Sequence, residues 1–347
     1  MPPSIALVGT YTDADEDGVF SYRLADGDLE RRDAVPGGED PSYLRIGPDG
    51  ERVYVVNEAD EGRVRALALD RESGSLTPLN DRPTGDEGPC YCSLDGAGEY
   101  VFVAHYHGGS VAMLPVESDG EVGPRSDLQA HEGSSVDPDR QDRAHPHSIV
   151  PGPDDEYAYV PDLGMDAVVA YEIDREAGAL RRDEAASVDL HDGAGPRHLV
   201  FHPSGDRGYL VGELDSTVTV LHRDADGTLS VGETVPMLPD GFDEESYAAD
   251  VHVDLAGEWL YASNRGHDSI AVYDLADPAM PRPAGHEPTQ GGWPRGFTLD
   301  PFDEYLLAGN QHGDNVVTFA VDDGALAPTG TEIELPSPVC IDAVETL

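Results

Sequence analysis

One pattern of strands and turns returns along the whole of this 347-residue sequence and constrains its fold more than any other feature. Each copy runs from a proline or small residue through an alternating apolar stretch, a Gly/Asp turn, a tyrosine-rich strand and a glycine-containing hairpin to another strand. A short fourth segment, such as GSLTPL or GTLSVGE, follows. The copies begin at Pro41, Pro89, Pro146, Pro196, Ala249 and Pro294. Steps of about 40 to 57 residues with four short strands are typical of β-propeller blades.

The two ends of the chain supply the parts of a seventh copy. PSPVCIDAV near the C-terminus provides its first strand, and SIALVGTYTDADEDGVFSYRL near the N-terminus provides the rest. Pairing of these segments closes a ring and leaves no open sheet edge. Two sandwich domains would also contain many short strands, but they would not explain complementary fragments at the termini. The sequence therefore predicts an all-β fold with a single domain over residues 1–347, a seven-bladed β-propeller of four-stranded antiparallel blades.

Polar residues concentrate on one predicted face of this disc. Because strand direction alternates within a blade, the loop into the first strand and the hairpin between the second and third strands share that face. Two long insertions, residues 124–145 and 236–248, also reach it and are expected to wall a pocket. The opposite face carries turn residues and solvated acids. Polar groups that converge on one channel mouth predict a binding site. The candidates are His105, His147, Arg197, His198, Glu213, His252, Asn264, Arg265 and Arg295.

Three arginines stand apart from the others in their sequence context. Most arginines neighbour acids, as in Asp139-Arg140, and are interpreted as solvated surface pairs. Arg197, Arg265 and Arg295 lie instead among Gly, Pro, Asn and Trp. A guanidinium matches a carboxylate or phosphate with two parallel hydrogen bonds, so we expect these cations to receive an anionic ligand. The alternative is that they brace neighbouring loops through backbone carbonyls.

Glu213 and His147 are the candidate acid–base groups. Glu213 follows the apolar strand end YLVG and is expected to face the channel near Arg197. A carboxylate partly withdrawn from water has a raised pKa and serves as a general base or acid. A structural salt bridge to Arg197 is a compatible alternative. For His147, and for His198 on the next blade, the alternative to a functional role is a hydrogen-bonded structural histidine.

The sequence contains only weak indications of a metal site and no cofactor-binding motif. The spacings His105-x-His107 and His145-x-His147 fit a metal site in a strand, but both pairs lie at loops without a further set of ligands at known spacing. No Gly-x-Ser-x-Gly motif is present, nor is there a Gly-rich phosphate loop between a strand and a helix. We therefore expect neither a metal nor an organic cofactor.

The charge of the chain limits its partners and environment. There are 69 acidic and 21 basic residues, all of the latter arginine, for a net charge of −48. Acids spread along the whole length fit a protein that stays folded in molar salt, where screening reduces self-repulsion. We expect a halophile protein of the cytoplasm, a monomer or weak homo-oligomer, with no nucleic-acid or membrane partner, because no basic face, signal peptide or apolar span is evident. The three cysteines are interpreted as reduced thiols.

The segments GAGPRHLVFHP, ELDSTVTV, AADVHV, LYASNRGHDSI and WPRGF resemble the lactonase family of seven-bladed propellers. This family includes bacterial propeller-type 6-phosphogluconolactonases and fungal 3-carboxy-cis,cis-muconate lactonizing enzymes. The resemblance spans essentially all seven blades and implies hydrolysis of a lactone or reversible ring closure of an unsaturated acid. By motif, the family's proposed catalytic residues fall on His147, Arg197, Glu213 and Arg265, with His198 and Arg295 adjacent.

The resemblance implies a metal-independent lactonase that acts on a small anionic substrate such as 6-phosphogluconolactone. Arginines would hold the anionic substituent and polarise the carbonyl, while Glu213 or His147 takes a proton from water. A phosphate needs positive charge at the site, and the chain has no lysine to add to the arginines. An unphosphorylated sugar lactone is therefore a second candidate substrate. Two other functions stay open: a carboxymuconate-type cycloisomerase, and a non-catalytic binding scaffold, for which Trp293 and Tyr106 are the only hints.

Overall fold

A computed structural model of the protein describes residues 2–347, which form 28 β-strands in seven antiparallel sheets of four strands each. In chain order these are β1 (Ser4–Thr10), β2 (Asp17–Ala25), β3 (Asp28–Pro36), β4 (Pro41–Ile46), β5 (Arg52–Asn57), β6 (Arg63–Leu69), β7 (Leu76–Pro83), β8 (Pro89–Leu94), β9 (Tyr100–His105), β10 (Ser110–Pro115), β11 (Asp127–Ala130), β12 (Val150–Pro151), β13 (Tyr157–Asp162) and β14 (Ala167–Asp174). They continue as β15 (Ala179–Asp189), β16 (Pro196–Phe201), β17 (Arg207–Gly212), β18 (Thr217–Arg223), β19 (Leu229–Pro236), β20 (Tyr247–Val253), β21 (Trp259–Arg265), β22 (Ser269–Asp274), β23 (Arg282–Pro288), β24 (Pro294–Leu299), β25 (Tyr305–Asn310), β26 (Asn315–Asp322), β27 (Ala325–Glu334) and β28 (Pro338–Glu345).

The sheets are the blades of a ring that the two chain ends close. Blade I has the strand order β28-β1-β2-β3, so its innermost strand comes from the C-terminus. Blades II to VII each take four consecutive strands, from β4–β7 to β24–β27. Strands β1 and β28 pair from Ser4 opposite Glu345 to Gly9 opposite Cys340, and Thr10 then lies opposite Pro338 across a bulge. The predicted seven-bladed propeller with a split closing blade is confirmed.

The tyrosines of the second strands explain why the repeat is tyrosine-rich. The rings of Tyr54, Tyr159 and Tyr209 are buried, and their hydroxyls donate to a carbonyl in a turn of the next blade around the ring. Tyr54 donates to the Gly120 carbonyl at 3.2 Å, and Tyr159 donates to the Gly227 carbonyl at 2.7 Å. A buried tyrosine hydroxyl usually has a hydrogen-bond partner, and in these three blades the turn of the next blade supplies it. The repeat therefore encodes contacts between blades as well as strands within them.

Bulges shape the start of the innermost strands, where the channel opens. Between Pro196 and Leu199 the register of β16 shifts against β17, and comparable shifts occur at the start of β4, β8, β20 and β24. A bulge inserts a residue that the partner strand does not match and turns the neighbouring side chains. In β16 the residues at the bulge are Arg197 and His198.

Candidate active site

A cavity of about 480 Å³ opens at one mouth of the central channel. Its walls come from the loops that lead into the innermost strands and from the hairpins between second and third strands. The lining residues are Tyr11, Glu58, Cys90, Tyr106, His107, Arg140, His147, Glu213, Tyr247, Arg265, Trp293, Arg295, Gln311 and His312. Four residues proposed from the sequence, His147, Glu213, Arg265 and Arg295, are among them.

Glu213 is the centre of an arginine cluster. It follows β17 in the hairpin of blade V, and its side chain is only 4% exposed. Its Oε2 accepts from Arg197 Nε at 3.0 Å and lies 2.8 Å from Arg265 Nη2. Its Oε1 accepts from Arg140 Nη2 at 2.5 Å. Both carboxylate oxygens are therefore engaged by guanidinium groups.

This cluster corrects two sequence interpretations. Burial by itself raises the pKa of Glu213, but the charges of Arg265 and Arg197 outweigh it and hold that pKa well below its usual range. The expected raised pKa was wrong, because the carboxylate is buried among cations rather than in apolar surroundings. Arg197 is also not an unpaired cation: it contacts Glu213 and donates to the Ala249 carbonyl at 2.6 Å. The alternative interpretation, a bracing arginine paired with Glu213, describes it better.

His147 presents a neutral imidazole to the cavity. Burial and the neighbouring Arg197 charge hold its pKa well below 6.5. Its Nδ1 lies 3.7 Å from Cys90 Sγ, and the edge of its ring meets Tyr106 with a centroid separation of 5.3 Å. Its Nε2 is 3.8 Å from Glu213 Oε2, which is too far for a direct hydrogen bond. This nitrogen therefore has no hydrogen-bond partner among residues 2–347, and because His147 lines the cavity a ligand or water can approach it.

His198 lies beneath the cavity and supports Arg197. Arg197 Nη1 donates to His198 Nε2 at 3.0 Å, so the ring proton is on Nδ1 and donates to Asp250 Oδ1 at 2.8 Å. Burial and the Arg197 charge lower the pKa of His198 to about 3. Stacked rings of Tyr43 and Tyr91, 4.3 Å apart, close the floor next to it. His198 is a positioning group in this geometry.

Three other predicted substrate-binding residues lie outside the cavity lining. His252 contacts Asp250 Oδ2 at 3.3 Å, below the site. His105 is fully buried, with Nδ1 3.2 Å from the Ser110 carbonyl of its own blade. Asn264 donates to the Met237 carbonyl and braces the loop before β20. Like these three, the predicted residues His198 and Arg197 lie outside the cavity lining.

At the end of the second strand of most blades, one residue braces the structure and the next residue along the chain lines the cavity. Asn57, His105 and Asn310 end their second strands opposite the first residue of the innermost strand, whereas Asn264, one residue before the end of β21, lies opposite Ala248, the second residue of β20. These side chains bond within the blade or its loops. The next residue reaches the cavity in six blades: Tyr11, Glu58, Tyr106, Glu213, Arg265 and Gln311. In blade IV it is the buried Leu163. Successive strand residues point in opposite directions, so the position of a residue in the pairing with the innermost strand tells whether it braces the blade or lines the cavity.

Both long insertions reach the cavity. The loop between β11 and β12 brings Arg140, and the second insertion ends with Tyr247, the first residue of β20, whose ring lies under the Arg140 guanidinium at 5.8 Å. The interpretation of Arg140 as a solvated surface pair with Asp139 was wrong. Its partners are Glu213 and the Tyr106 hydroxyl, which belong to other blades.

Glu58, Tyr11 and Arg295 form a second polar group across the cavity from Glu213. Tyr11 donates its hydroxyl to Glu58 Oε2 at 2.7 Å. Arg295 Nη2 lies 3.8 Å from the same oxygen, with its guanidinium 5.4 Å from the Tyr11 ring centroid. Blades II and V carry the two glutamates, so they face each other over the channel mouth.

Comparison with known proteins places this site in a family. The profile described as "Lactonase, 7-bladed beta-propeller" matches residues 5–343. The chain belongs to this lactonase family. It is 33% identical to the 6-phosphogluconolactonase of Bacillus subtilis and 29% identical to that of Formosa agariphila, with 98% of both chains covered in each comparison. Its fold is similar to the periplasmic gluconolactonase of Pseudomonas aeruginosa, with a TM-score of 0.93, 32% identity, and 99% of this chain and 100% of that one covered.

The channel mouth of this lactonase-family chain is cationic although the whole chain is strongly acidic. Arg140, Arg197, Arg265 and Arg295 are grouped with three carboxylates, those of Glu213, Glu58 and the Asp250 below His198, which leaves 4 − 3 = +1 with His147 neutral. The net charge of the chain is −48. Clefts that concentrate one sign of charge attract ligands of the opposite sign.

Among residues 2–347, no three His, Cys, Asp or Glu side chains are grouped so that they could hold a metal ion. His145, from one predicted pair, instead contacts the Tyr106 carbonyl through Nδ1 at 2.7 Å. The same residues contain no helix long and apolar enough to cross a membrane.

Proposed function

We propose that this protein hydrolyses a sugar lactone to the open acid at the channel-mouth cavity, without a metal ion. The observation that carries the proposal is the site's composition: a neutral imidazole, a buried carboxylate and an arginine cluster surround one cavity with an excess of positive charge. Relatives across the full chain are named 6-phosphogluconolactonase, so 6-phosphogluconolactone is the first substrate to test.

His147 is the general base in this proposal. Its Nε2 takes a proton from water as the water oxygen bonds to the lactone carbonyl carbon. The carbonyl oxygen gains negative charge, and guanidinium donors such as Arg265 stabilise it. When the tetrahedral intermediate collapses, the ring carbon–oxygen bond breaks and the ring oxygen takes the proton back from His147. The products are a carboxyl group and a free hydroxyl.

Glu213 assists without accepting the proton in this mechanism. The arginine cluster holds its pKa well below the usual range, and guanidinium groups already engage both carboxylate oxygens, so Glu213 is not placed to take the proton from water. It holds Arg265 and Arg197 in place, and at 3.8 Å its charge stabilises the His147 imidazolium as it forms. Removing either residue therefore impairs the chemical step for a different reason.

An unphosphorylated lactone is the second candidate substrate. The fold neighbour from Pseudomonas aeruginosa is a periplasmic gluconolactonase, and it matches this chain over nearly its whole length. A sugar ring without phosphate needs hydroxyl-binding groups, and the Glu58 carboxylate with the Tyr11 hydroxyl offers them.

The test is a hydrolysis assay in molar KCl with 6-phosphogluconolactone, glucono-δ-lactone and, for the cycloisomerase alternative, 3-carboxy-cis,cis-muconate. We expect hydrolysis of a lactone, the same rate in EDTA, and a loss of about 10²-fold or more in kcat for H147Q. H202Q, which changes a histidine on the opposite face, serves as the matched control. Conversion of the muconate alone, inactivation by EDTA, or full activity of H147Q would contradict the proposal.

We also propose that the protein works as a monomer or weak homo-oligomer in a salt-rich cytoplasm. Its net charge of −48 supports this, because self-repulsion is screened within about 3 Å at 1 M salt. The midpoint of unfolding should rise from dilute buffer to molar KCl, and sedimentation should show the mass of one chain. Equal stability in both buffers would contradict the salt adaptation.

A further inference from the structure

Arg140 differs from the other arginines around Glu213 in what holds it. Arg197 and Arg265 have side chains that are 2% and 6% exposed, and each donates to a backbone carbonyl of blade VI. Arg140 is 34% exposed. Its contacts are the Glu213 carboxylate, the Tyr106 hydroxyl at 3.3 Å and the face of Tyr247, all of which line the cavity.

The backbone that carries Arg140 is fixed, so its side chain is the part free to move. Asp137 Oδ1 accepts from the backbone nitrogens of Asp139 and Arg140 at 2.9 and 3.0 Å. Gln141 donates to the Leu163 carbonyl at 2.9 Å, which ties the loop to the hairpin of blade IV. The guanidinium can therefore turn from Glu213 into the cavity without displacement of the loop.

Glu213 would remain well paired without Arg140. Its Oε2 is already engaged by Arg197 and Arg265, and Arg140 is the guanidinium on Oε1. The charges on this side of the cavity sum to 3 − 2 = +1 when the Asp250 carboxylate below Arg197 and His198 is counted with Glu213, whereas Arg295 and Glu58 on the other side sum to 1 − 1 = 0. A dianionic group is therefore attracted to the Arg140 side, where the arginines carry more positive charge than the carboxylates neutralise, and away from Glu58.

We propose that Arg140 determines specificity for phosphorylated lactones by leaving Glu213 Oε1 and donating to the substrate phosphate. This inference rests on the proposed lactonase function. In a 6-phosphorylated lactone the phosphate is attached to a carbon outside the ring and can rotate. A cation that binds it must therefore lie next to the groups that act on the lactone carbonyl. The forked donors of a guanidinium match two phosphate oxygens. The loop between β11 and β12 supplies that cation from the cavity rim.

The test compares R140Q with R143Q, which removes the same charge from an exposed arginine of the same loop. For each variant, kcat/KM is measured with 6-phosphogluconolactone and with glucono-δ-lactone. Any loss due to the changed Glu213 environment affects both substrates, so the informative quantity is their ratio. We expect the ratio to fall about tenfold to a hundredfold in R140Q and to stay unchanged in R143Q. An unchanged ratio in R140Q would overturn the inference.

Product binding separates this inference from the proposed function. Calorimetry with 6-phosphogluconate and gluconate is performed on the wild type, R140Q and R140K. Selective loss of affinity for 6-phosphogluconate in R140Q, with partial recovery in R140K, supports Arg140 as the phosphate receptor even if neither lactone is hydrolysed. In that case only the proposed function fails. Equal losses for both ligands, or no loss for either, would contradict the role of Arg140.

Discussion

The two glutamates of the cavity occupy the same position in their blades but have opposite surroundings. Glu213 is 4% exposed and contacts three guanidinium groups. Glu58 is 15% exposed and has one hydrogen bond, from Tyr11, with Arg295 at 3.8 Å. A carboxylate has about four acceptor positions, so Glu58 keeps free capacity that Glu213 has lost. Glu213 therefore serves to organise cations, whereas Glu58 is available to accept hydroxyl donors from a ligand.

The largest expected effect comes from E213Q. Neutralising Glu213 leaves Arg197 and Arg265 buried beside each other without their counter-charge, and it removes the anion next to His147. We expect kcat/KM to fall by about 10²- to 10³-fold and the free energy of unfolding to fall by about 3 kcal/mol. Steady-state assays and urea denaturation measure the two effects. If E213Q and E58Q lost equal activity, the contrast between the glutamates would be wrong.

E58Q should change binding rather than chemistry. The amide keeps a similar shape and still accepts from Tyr11, but it accepts more weakly from substrate hydroxyls. We expect KM to rise about 3- to 10-fold, with kcat within about twofold of the wild type. The control is Y11F, which removes the Tyr11 hydroxyl and leaves the charge of Glu58 in place. A fall in kcat without a change in KM would place Glu58 in the chemical step instead.

His198, below Glu213 and Arg197, should make the free energy of unfolding depend on pH. The pKa of His198 is about 3 in the folded protein and about 6.5 in the unfolded chain, so the unfolded chain alone binds this proton between those values. Stability therefore falls as the pH is lowered from about 6.5 towards 3. Between about pH 7 and pH 5.5 this one group should cost about 1 kcal/mol.

Urea denaturation of H198Q at the two pH values measures this contribution. H198Q should show a smaller decrease in stability than the wild type, and a variant of the exposed His312, H312Q, should behave like the wild type. An H198Q profile that runs parallel to that of the wild type would show that His198 does not titrate in this way.

The smallest expected effect is a difference between the Glu58 and Glu213 sides of the cavity in how the kinetics of their variants respond to salt. Glu58 and Arg295 are partly exposed, whereas Glu213 and Arg197 are almost fully buried. Screening acts mainly on exposed charges, with a Debye length of about 3 Å at 1 M salt. The KM effect of E58Q should therefore shrink by about twofold between low and molar KCl, while the kcat/KM loss of E213Q stays constant. Kinetics at several KCl concentrations test this, and a larger change for E213Q would reverse the comparison.

Much of the fold and part of the site followed from local patterns. The spacing of the proline-headed copies predicted the blades, and the split copy predicted pairing of β1 with β28. The same pattern placed His147, Glu213 and Arg265 at one mouth. It did not separate Asn264 from Arg265, because neighbouring strand residues point in opposite directions and the choice depends on the register of β20 against β21.

The sequence by itself determined the blade count and the face that carries polar groups, because both depend on a strand pattern that repeats about every 50 residues, and it indicated ring closure through the split copy at the two ends. The sequence offered the pair of Glu213 with Arg197 as an alternative, but only the tertiary structure brought Arg140 and Arg265 to the same carboxylate. Arg140 lies 73 residues from Glu213, and Arg197 meets Ala249 52 residues away. Such contacts depend on the path of long loops and on ring closure, which bring side chains from different blades to one point. For this reason Glu213, expected to have a raised pKa, is a carboxylate held in its charged form by arginines.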